Sequence, residues 1–239
     1  MKHFLVVHGT NHEMDDNTFK QHVYDMFKPH IKNFDVGVMN SRSENLYRMI
    51  ESAIDDGETI IRITPLTFFS TVELEDIIPE LIHTFNHTHP WVKISCAQPI
   101  SYTKHVVHII EEQLLSREPD QALVAVIGFG HENYQTPNDE LLQFISRFEH
   151  LKLKMNAFML NGTMDYSILL PNTSRRFKRV IVVPLYFLQD KVHHDMEQTL
   201  GEICENKIMD VLPSFTESTA LKQLIIQNIK DFENSRIYI

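Results

Sequence analysis

Short apolar, β-branched runs alternate with longer stretches of helical period along the whole chain, and the alternation restarts near its middle. Lys2–Val7 predicts a strand that ends at a His8-Gly9-Thr10 turn, and Phe19, Val23, Met26 and Phe27 then recur at the spacing of a helix face. Asp35–Met39 predicts a second strand. Ser43–Ala53 predicts a helix with Leu46, Met49, Ile50 and Ala53 on one face, closed by Gly57. A third apolar run (Ile60, Ile61, Ile63) stops at Pro65, passes through an aromatic Thr/Ser loop, and enters a helix with Glu73, Glu75 and Asp76 in its first turns. Val92–Ala97 is a fourth strand, and Tyr102–Leu115 a helix with Val106, Ile109 and Ile110 inward. Polar Ser116–Gln121, which carries Pro119, interrupts the pattern. Beyond it the order restarts, with strands Ala122–Ile127, Leu153–Leu160, Arg179–Pro184 and Lys207–Leu212, and helices Asn138–Phe148, Asp165–Leu170, Val192–Ile203 and Ser218–Phe232.

The third strand and its loop occur twice. Ile60–Ile77 (IIRITPLTFFSTVELEDI) is echoed by Val180–Met196 (VIVVPLYFLQDKVHHDM), with Pro184-Leu185 answering Pro65-Leu66, Phe187 answering Phe68 and Asp195 answering Asp76. Proline and aspartate are 11 apart in both copies, as 76 − 65 and 195 − 184 give. The expectation is an α/β fold of two similar halves, 1–118 and 119–239, each a mainly parallel sheet covered by helices. Ligands of open parallel sheets bind at the carboxyl ends of the strands. His8 and Glu73 are therefore expected on one rim, His131 and His193 or His194 on the other, with the two rims facing a cleft.

Composition narrows the function classes. The 239 residues are 43% hydrophobic with a formal net charge of −10, which argues against nucleic acid or an anionic membrane as the main partner. No apolar stretch approaches the ~20 residues of a membrane-spanning helix. Two cysteines, Cys96 and Cys204, are too few for a disulfide scaffold and fit a reducing, cytoplasmic compartment. The one basic run is Arg175-Arg176-Phe177-Lys178-Arg179, either a solvated loop leading into a strand or a patch for an anionic ligand. Gly128-x-Gly130 follows a strand but lacks the rest of a dinucleotide fingerprint. His83, His87 and His89 end a helix before Pro90 without an acidic ligand placed to help, so a metal reading of them is rejected.

Leu5–Thr10 (LVVHGT) with Asn17 and Phe19, Ile60–Leu81 following Asp56-Gly57, and the segment QPISYTKHVVHIIEEQL together resemble the class II tetrapyrrole chelatases. These are the sirohydrochlorin and cobalt chelatases, with the protoporphyrin ferrochelatases as distant relatives. The resemblance covers essentially the whole chain. It implies a lyase that puts a divalent metal, Fe²⁺ first, into sirohydrochlorin in sirohaem biosynthesis. A cobalt or nickel chelatase for a related ring, or a non-catalytic tetrapyrrole or metal carrier, remains the alternative. No organic cofactor is implied: the metal (Fe²⁺, Co²⁺ or Ni²⁺) is a substrate, and a monomer or weak homodimer is expected. Eight residues beyond the proline, where sirohydrochlorin chelatases carry a second catalytic His, this chain has Glu73, as the ferrochelatases do. The family's acidic residue after the second strand would fall near Asn40.

Metal insertion requires loss of two pyrrolic protons, removal of water from the ion, and bending of the ring. A neutral imidazole suits both transition metals and proton transfer near neutral pH, and a neighbouring carboxylate can orient it, accept a proton or join the metal's shell. His8 and Glu73 are the candidate catalytic and metal residues. Thr10, Asn40, Thr67, Phe68, Phe69, Ser70 and Thr71 are candidates to line the macrocycle, since aromatic faces and small hydroxyls suit a π surface with polar edges. Arg175 and Arg176 lead the candidates for the ring carboxylates, ahead of Arg48, Lys104, Arg179 and Lys191. His131, His193 and His194 form a candidate second-half site.

Overall fold

Strands covered on both faces need apolar residues at consecutive positions, and this chain supplies them in eight places. In the computed structural model, which describes residues 1–8, 13–39, 44–187, 190–215 and 217–235, and no side chains in 13–16, 44–45 and 190–193, these runs form two four-stranded sheets. The first contains β1 (Lys2–His8), β2 (Phe34–Met39), β3 (Ile60–Pro65) and β4 (Lys93–Cys96), in the order β2-β1-β3-β4. The second contains β5 (Leu123–Gly128), β6 (Lys154–Met159), β7 (Arg179–Leu185) and β8 (Ile208–Val211), in the order β6-β5-β7-β8. Every pairing is parallel and the two orders are the same, so the duplication extends to topology. The helices are α1 (Glu13–Phe27), α2 (Glu44–Asp55), α3 (Ile78–Thr88), α4 (Lys104–Leu115), α5 (Thr136–Ser146), α6 (Tyr166–Thr173), α7 (Asp190–Ile203) and α8 (Thr219–Asn234). None of the described helices is long and apolar enough to cross a membrane.

Local chemistry fixes several element ends. Gly57, at φ 87°, closes α2: its N–H donates to Ile54 O, and the Glu58 N–H to Ala53 O, the paired bonds of a Schellman motif. Before α3, residues Glu73–Ile77 form a π turn in which the Ile78 N–H reaches back to Glu73 O. Pro79 has no N–H for the bond an α turn would make to the Glu75 carbonyl, so the wider turn is accommodated just where an α ladder would be broken. The expected helix from Glu73 is therefore two segments, and only the second is α-helical.

The sequence halves are not the compact units. One unit is Met1–Thr67 with Thr71–Pro99 and Gln223–Ile239; the other is Ile100–Lys222 with Phe68–Ser70. The expected cut between 118 and 119 describes the sheets but not the packing, because α4 groups with the second unit and most of α8 with the first. Within the first unit α8 is tied to strands β1 and β3 by buried polar groups. His3 contacts Glu233 Oε1 through Nδ1 at 3.0 Å and Thr64 Oγ1 through Nε2 at 2.8 Å. Arg62 donates to the Ser235 carbonyl at 2.6 Å and lies over the Phe232 ring. Burial lowers the His3 pKa, with the Arg62 charge adding to it and Glu233 opposing. A neutral His3 then donates from Nδ1 and accepts at Nε2, which satisfies both partners.

Candidate functional site

In the first sheet the chain leaves β1 toward β2 on one side and reaches β3 on the other, so a crevice opens at the carboxyl ends of β1 and β3. His8 is the last residue of β1. Val6 pairs with Pro65, and the Leu66 N–H donates to Val6 O, which sets the loop after β3 beside His8. Glu73 opens the π turn that follows that loop. The structure brings the two together: His8 Nδ1 lies 3.5 Å from Glu73 Oε1, a loose ion-pair distance.

The pair faces a small pocket also lined by Val6, Met39, Thr67 and Thr71, with a volume of about 10 Å³. That is the scale of one water or one metal ion, too small for a macrocycle. Burial would raise the Glu73 pKa. The hydrogen bond and charge of His8, the residue's own backbone N–H and the Thr71 hydroxyl outweigh it and hold the carboxyl at about 2. Glu73 is thus a carboxylate at any physiological pH. With His8 Nδ1 turned toward that carboxylate, Nε2 is the nitrogen left for a metal or a proton. The Thr67 Oγ1 is buried without a hydrogen-bond partner, an open polar valence at the pocket wall. Among the described residues no group of three His, Cys, Asp or Glu side chains is arranged to hold a metal ion.

Other candidates divide by position. Thr10 and Asn40 lie outside the described residues. Phe68 and Phe69 are each only 3% exposed and form an aromatic cluster with Phe144, joined by Phe215 at Phe68. Both rings are buried in that cluster, which corrects their assignment to the macrocycle. Ser70 is buried as well, its hydroxyl donating to Glu140 Oε1 at 2.7 Å. Of the expected loop surface, Thr67 and Thr71 are the two that face the pocket.

The basic patch is corrected by topology. Arg175 and Arg176 stand between α6 and β7, at the amino end of a parallel sheet, whereas the rim of that sheet lies at the other end. Both are exposed, and Arg176 stacks over Phe177. Arg179, first in β7, is engaged by Asp210 and the Glu118 carbonyl. Arg48 borders a cavity with Lys2, Asn33 and Glu58, at the amino end of the first sheet.

The second half carries a different rim. Ile127 pairs with Pro184 as Val6 pairs with Pro65, so by register the counterpart of His8 is Phe129, not His131. The counterpart of Glu73, eight residues past the proline, is Val192. The positions that answer the imidazole and carboxylate of the first half thus carry apolar residue types in the sequence. His131 and His194 follow β5 and β7 and are exposed, and His131 Nδ1 accepts the Asn133 N–H. The side chain of His193 lies outside the described residues. The Gly128-x-Gly130 signal has a steric cause, since a Cβ at Gly130 would stand 2.4 Å from the Asn161 carbonyl.

The CbiX family profile matches residues 2–117, the half that carries His8 and Glu73. The sirohydrochlorin ferrochelatase of Priestia megaterium is 21% identical over 197 residues, covering 77% of this chain and 73% of its own. Among solved structures, SirB from Bacillus subtilis with Fe³⁺ superposes with a TM-score of 0.71 at 15% identity, covering 97% of this chain and 95% of that one. CbiX, the terminal enzyme for sirohaem biosynthesis in denitrifying bacteria, gives 0.67 at 13% identity, covering 97% and 99%. At these identities the superpositions speak for the fold.

Proposed function

We propose that the chain is a class II tetrapyrrole chelatase, a cytoplasmic lyase inserting a divalent metal into sirohydrochlorin, with Fe²⁺ as its metal. The observation that carries the reading is the His8–Glu73 pair, 3.5 Å apart at the switch point of the first sheet and beside a pocket of ion size. The reaction exchanges two pyrrolic N–H protons for one M²⁺. The depressed pKa keeps Glu73 anionic, so it can attract the cation without first losing a proton of its own. His8 Nε2 is a borderline nitrogen donor suited to Fe²⁺ or Co²⁺, and the same imidazole can take a pyrrolic proton near neutral pH. Two protein ligands rather than a full set leave coordination positions for the pyrrole nitrogens, so the ion can pass from protein to ring. Thr67 and Thr71 line the approach with hydroxyls that can bond the ion's remaining waters.

The test is anaerobic incubation of the purified protein with metal-free sirohydrochlorin and Fe²⁺, Co²⁺ or Ni²⁺, followed by absorbance of the metallated ring. Multiple turnovers above the uncatalysed rate are expected. Stoichiometric binding with no turnover would make the protein a carrier on the chelatase fold.

A further inference from the structure

The pocket beside His8 and Glu73 has a third kind of donor in its wall. Met39, the last residue of β2, is the register partner of His8, the last residue of β1. Partners on neighbouring parallel strands stand about 4.8 Å apart and point to one face, and every second residue of a strand shares that face. Val6 and Phe4, two and four residues before His8, lie in one core cluster with Met39, so the imidazole and the thioether leave the sheet on the same side. Met39 lines the ion-sized pocket together with His8, Thr67, Thr71 and Glu73. It is 2% exposed, and all five residues belong to one compact unit.

Core packing here asks only for an apolar side chain of this volume, which leucine would supply. What methionine adds is a soft, polarisable sulfur. The pocket also shows the mark of a site that takes an occupant, since the buried Thr67 hydroxyl in the same wall has no hydrogen-bond partner. Among the described residues no third His, Cys, Asp or Glu joins His8 and Glu73, so a further donor to an ion held there must come from another residue type.

We propose that Met39 is a metal-contacting residue, its thioether joining His8 and Glu73 around the incoming ion and tilting the site toward the softer late ions Fe²⁺ and Co²⁺ and away from hard ions such as Mn²⁺. A thioether is neutral and a weak ligand, so it can yield its place to a pyrrole nitrogen when the ion passes to the ring. The proposal rests on the chelatase reading for its kinetic arm and stands apart from it in metal binding.

The experiment is X-ray absorption at the cobalt edge on untagged, selenomethionine-labelled protein loaded with Co²⁺ in the absence of tetrapyrrole. The chain has 10 methionines, and only one that touches the ion can place a selenium neighbour at the cobalt. The wild type should show that neighbour beside nitrogen and oxygen, and Met39→Leu and His8→Ala should each lose it. Met39→Leu conserves volume and so keeps the fold. Its Co²⁺ affinity should fall about tenfold while Mn²⁺ affinity changes by less than about twofold, and kcat/KM for Co²⁺ insertion should fall by about the same tenfold. If Met39→Leu fails to fold, the selenium neighbour in the wild type decides alone. A cobalt shell of nitrogen and oxygen only, a selenium signal that survives Met39→Leu, or equal losses of Co²⁺ and Mn²⁺ affinity each overturn the proposal and leave Met39 as core packing. A wild type that takes up no Co²⁺ overturns it too. A selenium neighbour without turnover sinks the chelatase reading alone, whereas turnover without that neighbour sinks the role of Met39 alone.

Discussion

Nδ1 of His8 stands 3.5 Å from Oε1 of Glu73, although one residue closes the first strand and the other follows the third. Parallel pairing of β1 with β3 makes them neighbours, and the contact with His8 helps to hold Glu73 as a carboxylate. Replacing His8 with Ala should abolish metal insertion, and Glu73→Gln should slow it by at least ~10²-fold, the usual scale of general acid–base help. His194→Ala should keep kcat within a factor of about 3, because the register aligns Phe129 with His8 and the sequence spacing from the proline aligns Val192 with Glu73. Steady-state insertion with circular dichroism on each variant checks this.

The amino-end position of Arg175 and Arg176 carries its own expectation. A double Arg→Ala variant should leave KM for an octacarboxylate ring unchanged at both low and high salt. A rise in KM at low salt alone would show that the patch does meet the substrate's charge.

Acid stability should carry the signature of Glu73. Its folded pKa of about 2 lies below the ordinary 4.5, so the stability it contributes is present above about 4.5 and lost as pH falls toward 2. Urea unfolding of wild type and Glu73→Gln should differ by on the order of 2 kcal/mol at pH 5, and the difference should vanish toward pH 2.

His3 acts at milder pH. Because burial first and the Arg62 charge besides lower its pKa below 6.5, the unfolded chain binds a proton that the folded one refuses. Stability from this group is complete above about 6.5 and declines as pH falls below it. NMR titration should place the His3 midpoint below 6.5, and Tm should fall less between pH 7.5 and 5.5 in His3→Gln than in the wild type.

Much of this was legible in the sequence because it is written in local periodicity. The apolar runs located the eight strands, and the repeated proline located the two equivalent loops. The conjunction of His8 with Glu73 was legible too, since one ends and the other follows strands that a 2-1-3-4 order makes adjacent. What was not legible depends on partners distant in sequence. Nothing in Thr67–Thr71 says that its phenylalanines meet Phe144 and Phe215, or that Ser70 meets Glu140. The basic run at Arg175 draws notice by charge, yet charge says nothing about which end of a sheet it occupies; its position before a strand does. The exchange of α4 and α8 between units likewise leaves no trace in hydrophobic pattern, because a helix shows the same apolar face whichever sheet it covers.

The π turn at Glu73–Ile77 makes the aim of the carboxylate a matter of residue count. A π turn is an α turn with one residue inserted, and one residue of helix is about 100° of rotation. On the far side of the turn Ile78, Leu81 and Phe85 are fixed in the core, and on the near side Thr71 and His8 grip Glu73. A single-residue deletion between Glu75 and Ile77 would leave composition, charge and the core almost untouched, yet the helix could no longer satisfy both ends at once. Length within this short segment is therefore under tighter constraint than side-chain identity, and homologous chains should tolerate substitution there far more readily than a gap.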